Sequence, residues 1–184
     1  MSSPKPLQPV KLIVSILVGE HDLSEKVCKK LISRFGQIDF MSEALPFNFT
    51  DYYEKEIGKA LFRYLVSFKT LIPPDMLPPI KLYTNEIEDI FLRQDGTRKV
   101  NIDPGYIALH HLILATCKNF SHRPCLRDGV YADMTLMFQG KTFSPLPWTF
   151  PDYRSDGLIS LLNKIRDMYY RQLKGEAGSG QHSD

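Results

Sequence analysis

The strongest constraint on this chain is the order in which extended and helical periodicities follow one another in its first 105 residues. Lys11 to Val18 is short, apolar and rich in β-branched residues, which predicts a buried strand. A helix follows, with Leu23, Val27, Leu31 and Phe35 on one face beside Cys28 and Ile32. Asp22 is placed to cap it, with Glu25 three residues on, and Gly36 is a good C-terminal stop. Ile38 to Phe49 alternates as a strand with a phase break near Ser42, where a bulge is expected. Leu61 to Leu71 alternates again: Phe62, Tyr64, Val66 and Phe68 point one way, and Arg63, Ser67 and Lys69 the other. Pro73, Pro74, Pro78 and Pro79 break the chain before a second helix from Ile80, whose face is Ile80, Tyr83, Thr84, Ile87, Ile90 and Phe91. Gln94-Asp95-Gly96 ends that helix, and Arg98 to Asp103 reads as a strand halted by Pro104-Gly105. The order βαββαβ predicts an α+β fold with a ferredoxin-like core, both helices covering one face of an antiparallel sheet.

The rest reads as an extension of that core. Ile107 to Cys117 is apolar almost all round, so period does not separate helix from strand there; helix is the preferred assignment. Arg127-Asp128-Gly129 predicts a hairpin turn. Beyond it, Val130, Ala132, Met134, Leu136 and Phe138 form one face of a strand, with Tyr131, Asp133 and Thr135 on the other. Gln139-Gly140-Lys141 predicts a second turn. A last helix opens near Ser155, with Leu158, Leu161, Leu162, Ile165, Met168 and Tyr169 as its apolar stripe. The expected architecture is a ferredoxin-like βαββαβ core with a C-terminal β-hairpin and helix. Residues 11–174 are expected to form one globular domain, flanked by tails at 1–10 and 175–184.

Size and charge bound the function classes. A chain of 184 residues with 43% apolar and 24% charged residues has the composition of one globular domain. The formal net charge of +2 is too mild for an electrostatic nucleic-acid binder and argues against that partner. Cys28, Cys117 and Cys125 have no paired spacing, which argues against a disulfide framework and for a reducing compartment. Met1 to Pro9 lacks the apolar run of a signal peptide, and Leu12 to Val18 is too short to span a bilayer. The expected location is cytoplasmic, without a membrane partner.

Several strings resemble one bacterial family of unknown function. They are Phe47-Asn48-Phe49-Thr50-Asp51-Tyr52-Tyr53-Glu54, Thr84-Asn85-Glu86, Asn101-Ile102-Asp103-Pro104-Gly105-Tyr106, Ser121-His122-Arg123 and Pro147-Trp148-Thr149-Phe150-Pro151-Asp152-Tyr153-Arg154. Together they are similar to domain-of-unknown-function family 4416, from about Lys11 to about Tyr170. The resemblance implies one folded unit and carries no established activity. A GTP-binding label borne by some members finds no support in these residues. Gly140-Lys141-Thr142 lacks the glycine a phosphate-binding loop needs five positions earlier, where Thr135 stands, and both flanks read as strands. Cys125 departs from the family's pattern, which has an aromatic or apolar residue there.

The polar strings fall at the ends of predicted elements, where scaffolds place functional side chains. Asp51, Glu54, Asp103 and His122 are the candidate catalytic residues. A histidine near a carboxylate can move protons near neutral pH. Tyr53, Lys118, Arg123, Tyr131, Asp133 and Arg154 are the candidate ligand-binding residues. Lysine and arginine hold anions, and arginine grips phosphate or carboxylate with two parallel bonds. Each has a plainer reading as well. Asp51 could cap a helical turn, Asp103-Pro104-Gly105 could be a turn, and Tyr131 with Asp133 could be the wet face of a hairpin. Trp148 between prolines reads as a core plug. Carboxylates at Asp51, Glu54, Asp103 and Asp133 are of the donor type magnesium takes. His110, His111, Cys117, His122 and Cys125 lack zinc-ligand spacing, and no metal ligands are assigned. The residues favour binding of, or action on, a small phosphorylated or otherwise anionic ligand. A non-catalytic interaction module is the alternative, with RNA binding third. Cofactor and oligomeric state are left open.

Overall fold

The computed structural model describes residues 3–50, 53, 56–58 and 60–175. Its centre is β1 (Lys11–Val18), every residue of which is buried. On one side β1 pairs antiparallel with β4 (Leu61–Phe68) and on the other with β5 (Val100–Ile107). Two short strands, β2 (Ile38–Met41) and β3 (Leu45–Phe47), both pair with β4. Beyond β5 come β6 (His111–Thr116), β8 (Val130–Gln139) and β7 (Cys125–Arg127), with β9 (Thr142–Pro145) also paired to β8. The order is β2-β4-β1-β5-β6-β8-β7, a single antiparallel sheet. With α1 (His21–Phe35), α2 (Leu77–Ile90) and α3 (Asp156–Leu173), it makes a mixed α+β fold. None of the described helices is long and apolar enough to cross a membrane.

Both faces of β1 are covered, so its sequence shows no polar alternation. Leu12, Val14, Ile16 and Val18 pack with residues of α1 and α2. Ile13 faces the opposite way, into a second core with Leu158, Leu162, Ile165 and Tyr169 of α3. Even Lys11 is wholly buried, its ammonium ion-paired with Asp39 and bonded to Gln172 at the end of α3.

The same two-sided burial explains where the sequence reading fails. The apolar stretch assigned as helix before Cys117 is the strand β6. Leu112 and Leu114 enter the α3 core, while Ala115 and Ile113 join Val10, Leu77 and Tyr106 on the other face. A strand buried on both sides is apolar all round, as a buried helix would be. The extension therefore holds four strands before its helix, more than a hairpin. Strand β8 also changes phase. Leu112 pairs with Leu136 and Ile113 with Met134, so Thr135 is an extra residue. Leu136 and Phe138 consequently pack toward α3, whereas Val130 lies in the other core.

Other boundaries shift for local reasons. The N-cap of α1 is Glu20 and makes no side-chain cap bond; Asp22 lies within the first turn, so the expected Asp22–Glu25 box does not form. Helix α2 begins at Leu77, with proline in its first turn where the lost N–H is harmless, and it ends at Ile90. The strand expected over 38–49 with a bulge near Ser42 is instead two strands parted at 42–44, with the register shift between Ile38 and Phe40. The turns at Asp128-Gly129 and Gly140-Lys141 and the start of the last helix near Ser155 are as expected. All four turn residues have positive φ, and Ser155 accepts from the Leu158 amide. Gly140-Lys141-Thr142 is thus a turn between β8 and β9.

Strand β5 does not stop at Pro104-Gly105 but runs through them to Ile107. Ile102 directs its amide and carbonyl away from β1, to side chains of α2. Alternation gives Pro104 the same direction, so its missing N–H removes no bond to β1. Strand β6 pairs with β5 only at Gly105, Tyr106 and Ile107, leaving 100–104 without a strand on that side.

Candidate functional site

That uncovered half of β5 is where the polar residues gather. Two side chains of α2 take the place of the missing strand. Glu88 accepts from the Ile102 amide at 2.5 Å, and Lys81 donates to the Ile102 carbonyl at 3.0 Å. Lys81 also reaches Asp103 at 3.3 Å, and Asn101 donates to the other Asp103 oxygen at 2.6 Å. Arg98 closes the row, contacting Asn101 at 3.0 Å, Glu88 at 3.3 Å and Glu56 at 2.5 Å. Burial raises the Glu88 carboxyl above its ordinary range, with Lys81 and the Ile102 amide pulling the other way. A raised carboxyl favours folding at acid pH and costs stability as pH climbs through its folded value, so at neutral pH Glu88 is held at some expense. Glu88→Ala is expected to leave the Ile102 amide unpaired at a cost of about 1–3 kcal/mol. Hydrogen exchange should quicken at Ile102 and stay slow at Asn101, whose amide faces β1; equal protection of Ile102 in the variant would contradict this role.

Asp103 lies opposite Ser15 in the register, and Arg63 opposite Leu17, so both project from the α3 face of the sheet. The Arg63 guanidinium is buried between two rings, with its centre 4.9 Å from Phe47 and 5.1 Å from Tyr153. Its Nη1 stands 2.5 Å from Asp152. Its Nε finds no acceptor among the described residues. Burial opposes the charge on Arg63, but Tyr153, Asp152 and Asp103 outweigh it and raise its pKa. Burial also pushes the phenols of Tyr53 and Tyr153 well above their ordinary value, Asp103 adding to the effect at both. They are therefore neutral donors at physiological pH. The Asp103 carboxylate is 35% exposed, so water reaches it.

A second cluster lies farther along the sheet. Asp133 of β8 is buried, with Arg123 Nε at 2.7 Å and His122 Nε2 at 3.5 Å. The His122 ring stacks on Trp148, with centroids 4.9 Å apart and planes 16° from parallel. The segment 146–155 joins the two clusters. It is tied to the bulge of β8, where Thr149 Oγ1 donates to the Thr135 carbonyl at 2.5 Å and Trp148 Nε1 to the Met134 carbonyl at 2.8 Å. From there it crosses to place Asp152 and Tyr153 on Arg63.

A family profile described as "Domain of unknown function (DUF4416)" matches residues 8–169. The chain belongs to that family. Neither the curated proteins nor the solved structures compared with it give a match. Described residues from four of the five strings that resembled family 4416 fall in these two clusters. Phe47, Tyr53, Asp103, Asp152 and Tyr153 all act on Arg63 or on one another. His122 and Arg123 meet the Trp148 end of the same loop segment.

The candidate residues named from sequence in this family-4416 chain do not all meet. Tyr53 and Asp103 belong to the Arg63 group. His122, Arg123 and Asp133 form the second group, where Lys118 offers its carbonyl to Arg123 at 3.2 Å. Tyr131 lies two residues along β8 from Asp133, opposite Thr116 and Cys125. Arg154 is engaged by its own loop, donating to the carbonyls of Thr149 at 2.7 Å, Leu146 at 3.0 Å and Pro147 at 2.8 Å. Asp51 and Glu54 fall outside the described residues. Among the described residues no three His, Cys, Asp or Glu side chains converge as metal ligands. The sequence reading missed Arg63, Lys81, Glu88 and Arg98, and it noted Asp152 before the last helix without giving it a role. The usable signal was a charged residue on a buried position of two periodic runs, Arg63 in β4 and Lys81 and Glu88 in α2.

Proposed function

We propose that this family-4416 domain binds a small hydroxylated anion, of sugar-phosphate type, at the group formed by Arg63, Asp103, Tyr53 and Tyr153. One observation carries the reading: a buried guanidinium whose Nε finds no acceptor among the described residues stands beside two neutral phenols. Buried donors of that kind are uncommon without an occupant, whether ordered water or ligand. Arginine and tyrosine donors suit the oxygens of phosphate or carboxylate, and the part-exposed Asp103 suits a ligand hydroxyl. The scaffold supports the reading. The order β2-β4-β1-β5, with α1 and α2 on one face, fits a ferredoxin-like core in which Asp103 and Arg63 flank the central strand on the opposite face.

The test is a melting-point screen with inorganic phosphate, a pentose phosphate and a nucleoside monophosphate. A ligand present at a hundred times its Kd should add about 2.7 kcal/mol, or roughly 5–10 °C. Asp103→Asn should fold normally and lose most of that shift for the hydroxylated probes. A wild-type protein that none of these probes stabilises, or an Asp103→Asn variant that keeps the whole shift, would remove the proposal.

A further inference from the structure

Arg98 stands two residues before β5, where its planar fork meets acceptors from three parts of the chain. Nε donates to a Glu56 oxygen at 2.9 Å and Nη2 to the same oxygen at 2.5 Å. Nη1 donates to Asn101 Oδ1 at 3.0 Å and to Glu88 at 3.3 Å. The Asn101 bond fixes which way that amide faces. With Oδ1 held by a guanidinium, Nδ2 is the end turned toward Asp103, and it donates to Asp103 Oδ2 at 2.6 Å. Lys81 donates to the other oxygen at 3.3 Å. The Asp103 carboxylate is therefore held at both oxygens, one of them through Arg98. Glu56 belongs to the turn that carries Tyr53, because the Glu56 and Ile57 amides donate to the Tyr53 carbonyl. That turn has a second fastening in Arg93, which donates to the carbonyls of Glu56 and Ile57. The Asn101 relay has no such duplicate: among the described residues Arg98 is the only donor to Asn101 Oδ1.

We propose that Arg98 is a positioning residue that sets the selectivity of the Arg63 site for hydroxylated anions, acting on Asp103 through Asn101. The inference rests on the anion-binding reading of the Arg63 group and adds the source of its discrimination. Without Arg98 the Asn101 amide is free to turn over. Its oxygen would then face the Asp103 carboxylate, two acceptors in contact, and Asp103 would swing away from the position in which it meets a ligand hydroxyl. Asn101 is 6% exposed, so bulk water is poorly placed to stand in for the lost donor. Arg63 lies across β1 on β4 and keeps its own partners, so the grip on phosphate stays. Arg98 thus bears on the hydroxyl half of the ligand and leaves the anionic half alone.

The probes are inorganic phosphate and a pentose phosphate, titrated by calorimetry, and the readout is the ratio of their affinities. Arg98→Met keeps an unbranched stem and removes the donors. The Arg98 side chain is 28% exposed, so the variant should keep the wild-type circular dichroism. It should bind phosphate as the parent does, while the preference for the pentose phosphate falls roughly tenfold. Asn101→Leu breaks the relay at its other end and should give the same loss. The double variant should lose no more than either single variant, as expected of two residues on one path. A purely structural role would lower the melting point and leave the ratio as it was. Either single variant carries the ratio test, so one that fails to fold leaves the other to decide. A ratio unchanged in the folded variant, even where both probes weaken together, would overturn the assignment and leave the site standing. So would losses that add in the double variant, or a parent that binds both probes equally. A parent that binds neither probe would remove the site itself, and the assignment with it.

Discussion

Gly105→Ala should be among the most damaging single changes in this protein, costing about 3 kcal/mol or more. A Cβ at Gly105 would collide with the Ile113 carbonyl oxygen and stand 2.7 Å from Leu114 Cδ2 and 3.2 Å from Leu114 Cα. The Leu114 side chain could turn aside, but the carbonyl and the Cα are backbone. Relief therefore requires β5 and β6 to move apart. The pair Gly105–Leu114 is one of only three that join those strands, and it is where they begin to diverge. Losing it would separate the β1–β5 half from the β6–β9 half along part of their common seam. It would also disturb Asp103 two residues away. Urea denaturation should show the midpoint falling, with faster amide exchange on both strands. Gly157→Ala is the fitting control. It lies in the first turn of α3 with nothing within 4 Å of the added carbon, and stability there should hold or rise by a few tenths of a kcal/mol. A Gly105→Ala protein as stable as the parent would mean that the β5–β6 seam yields more easily than this geometry allows.

Gly105 shows how far the sequence could be read. Pro104-Gly105 is a turn signal taken alone, and local chemistry offers nothing to correct that reading. What overrides it is tertiary: the proline points at a gap, and the glycine admits a neighbouring backbone. The helix and strand order of the first half was legible because α1, α2 and β4 each keep a strong period. The helical assignment before Cys117 failed because a strand between two cores has no period to display. The site was legible in part for the same reasons. His122, Arg123 and Asp133 were named as candidates, and the structure joins them. Arg63 was read only as facing away from Phe62, Tyr64, Val66 and Phe68, although both faces of β4 are buried. Segment 146–155 lies across that face and supplies Asp152, and no spacing rule in the sequence pairs residues 89 positions apart.

Asp152→Ala should destabilise the protein by about 3–5 kcal/mol, the usual result of leaving one half of a buried ion pair without its partner. Arg63 would remain in place, 8% exposed, with its rings on either side and its principal counter-charge gone. Asp103 contributes at longer range and cannot replace a contact of 2.5 Å. The variant also separates two roles for the guanidinium. If Arg63 serves only to fasten segment 146–155, then Arg63→Met/Asp152→Leu should recover most of the lost stability, because an apolar pair of similar volume avoids the desolvation of both charges. Phosphate should then do nothing for either protein. If Arg63 also serves an anion, the Asp152→Ala protein should gain more from added phosphate than the parent does. The ion would take the place of the missing carboxylate, and the apolar double variant should gain nothing. The comparison of these three melting curves with and without phosphate therefore decides between a fastening and a site. A phosphate response that is the same in all three would exclude Arg63 as the group that binds it.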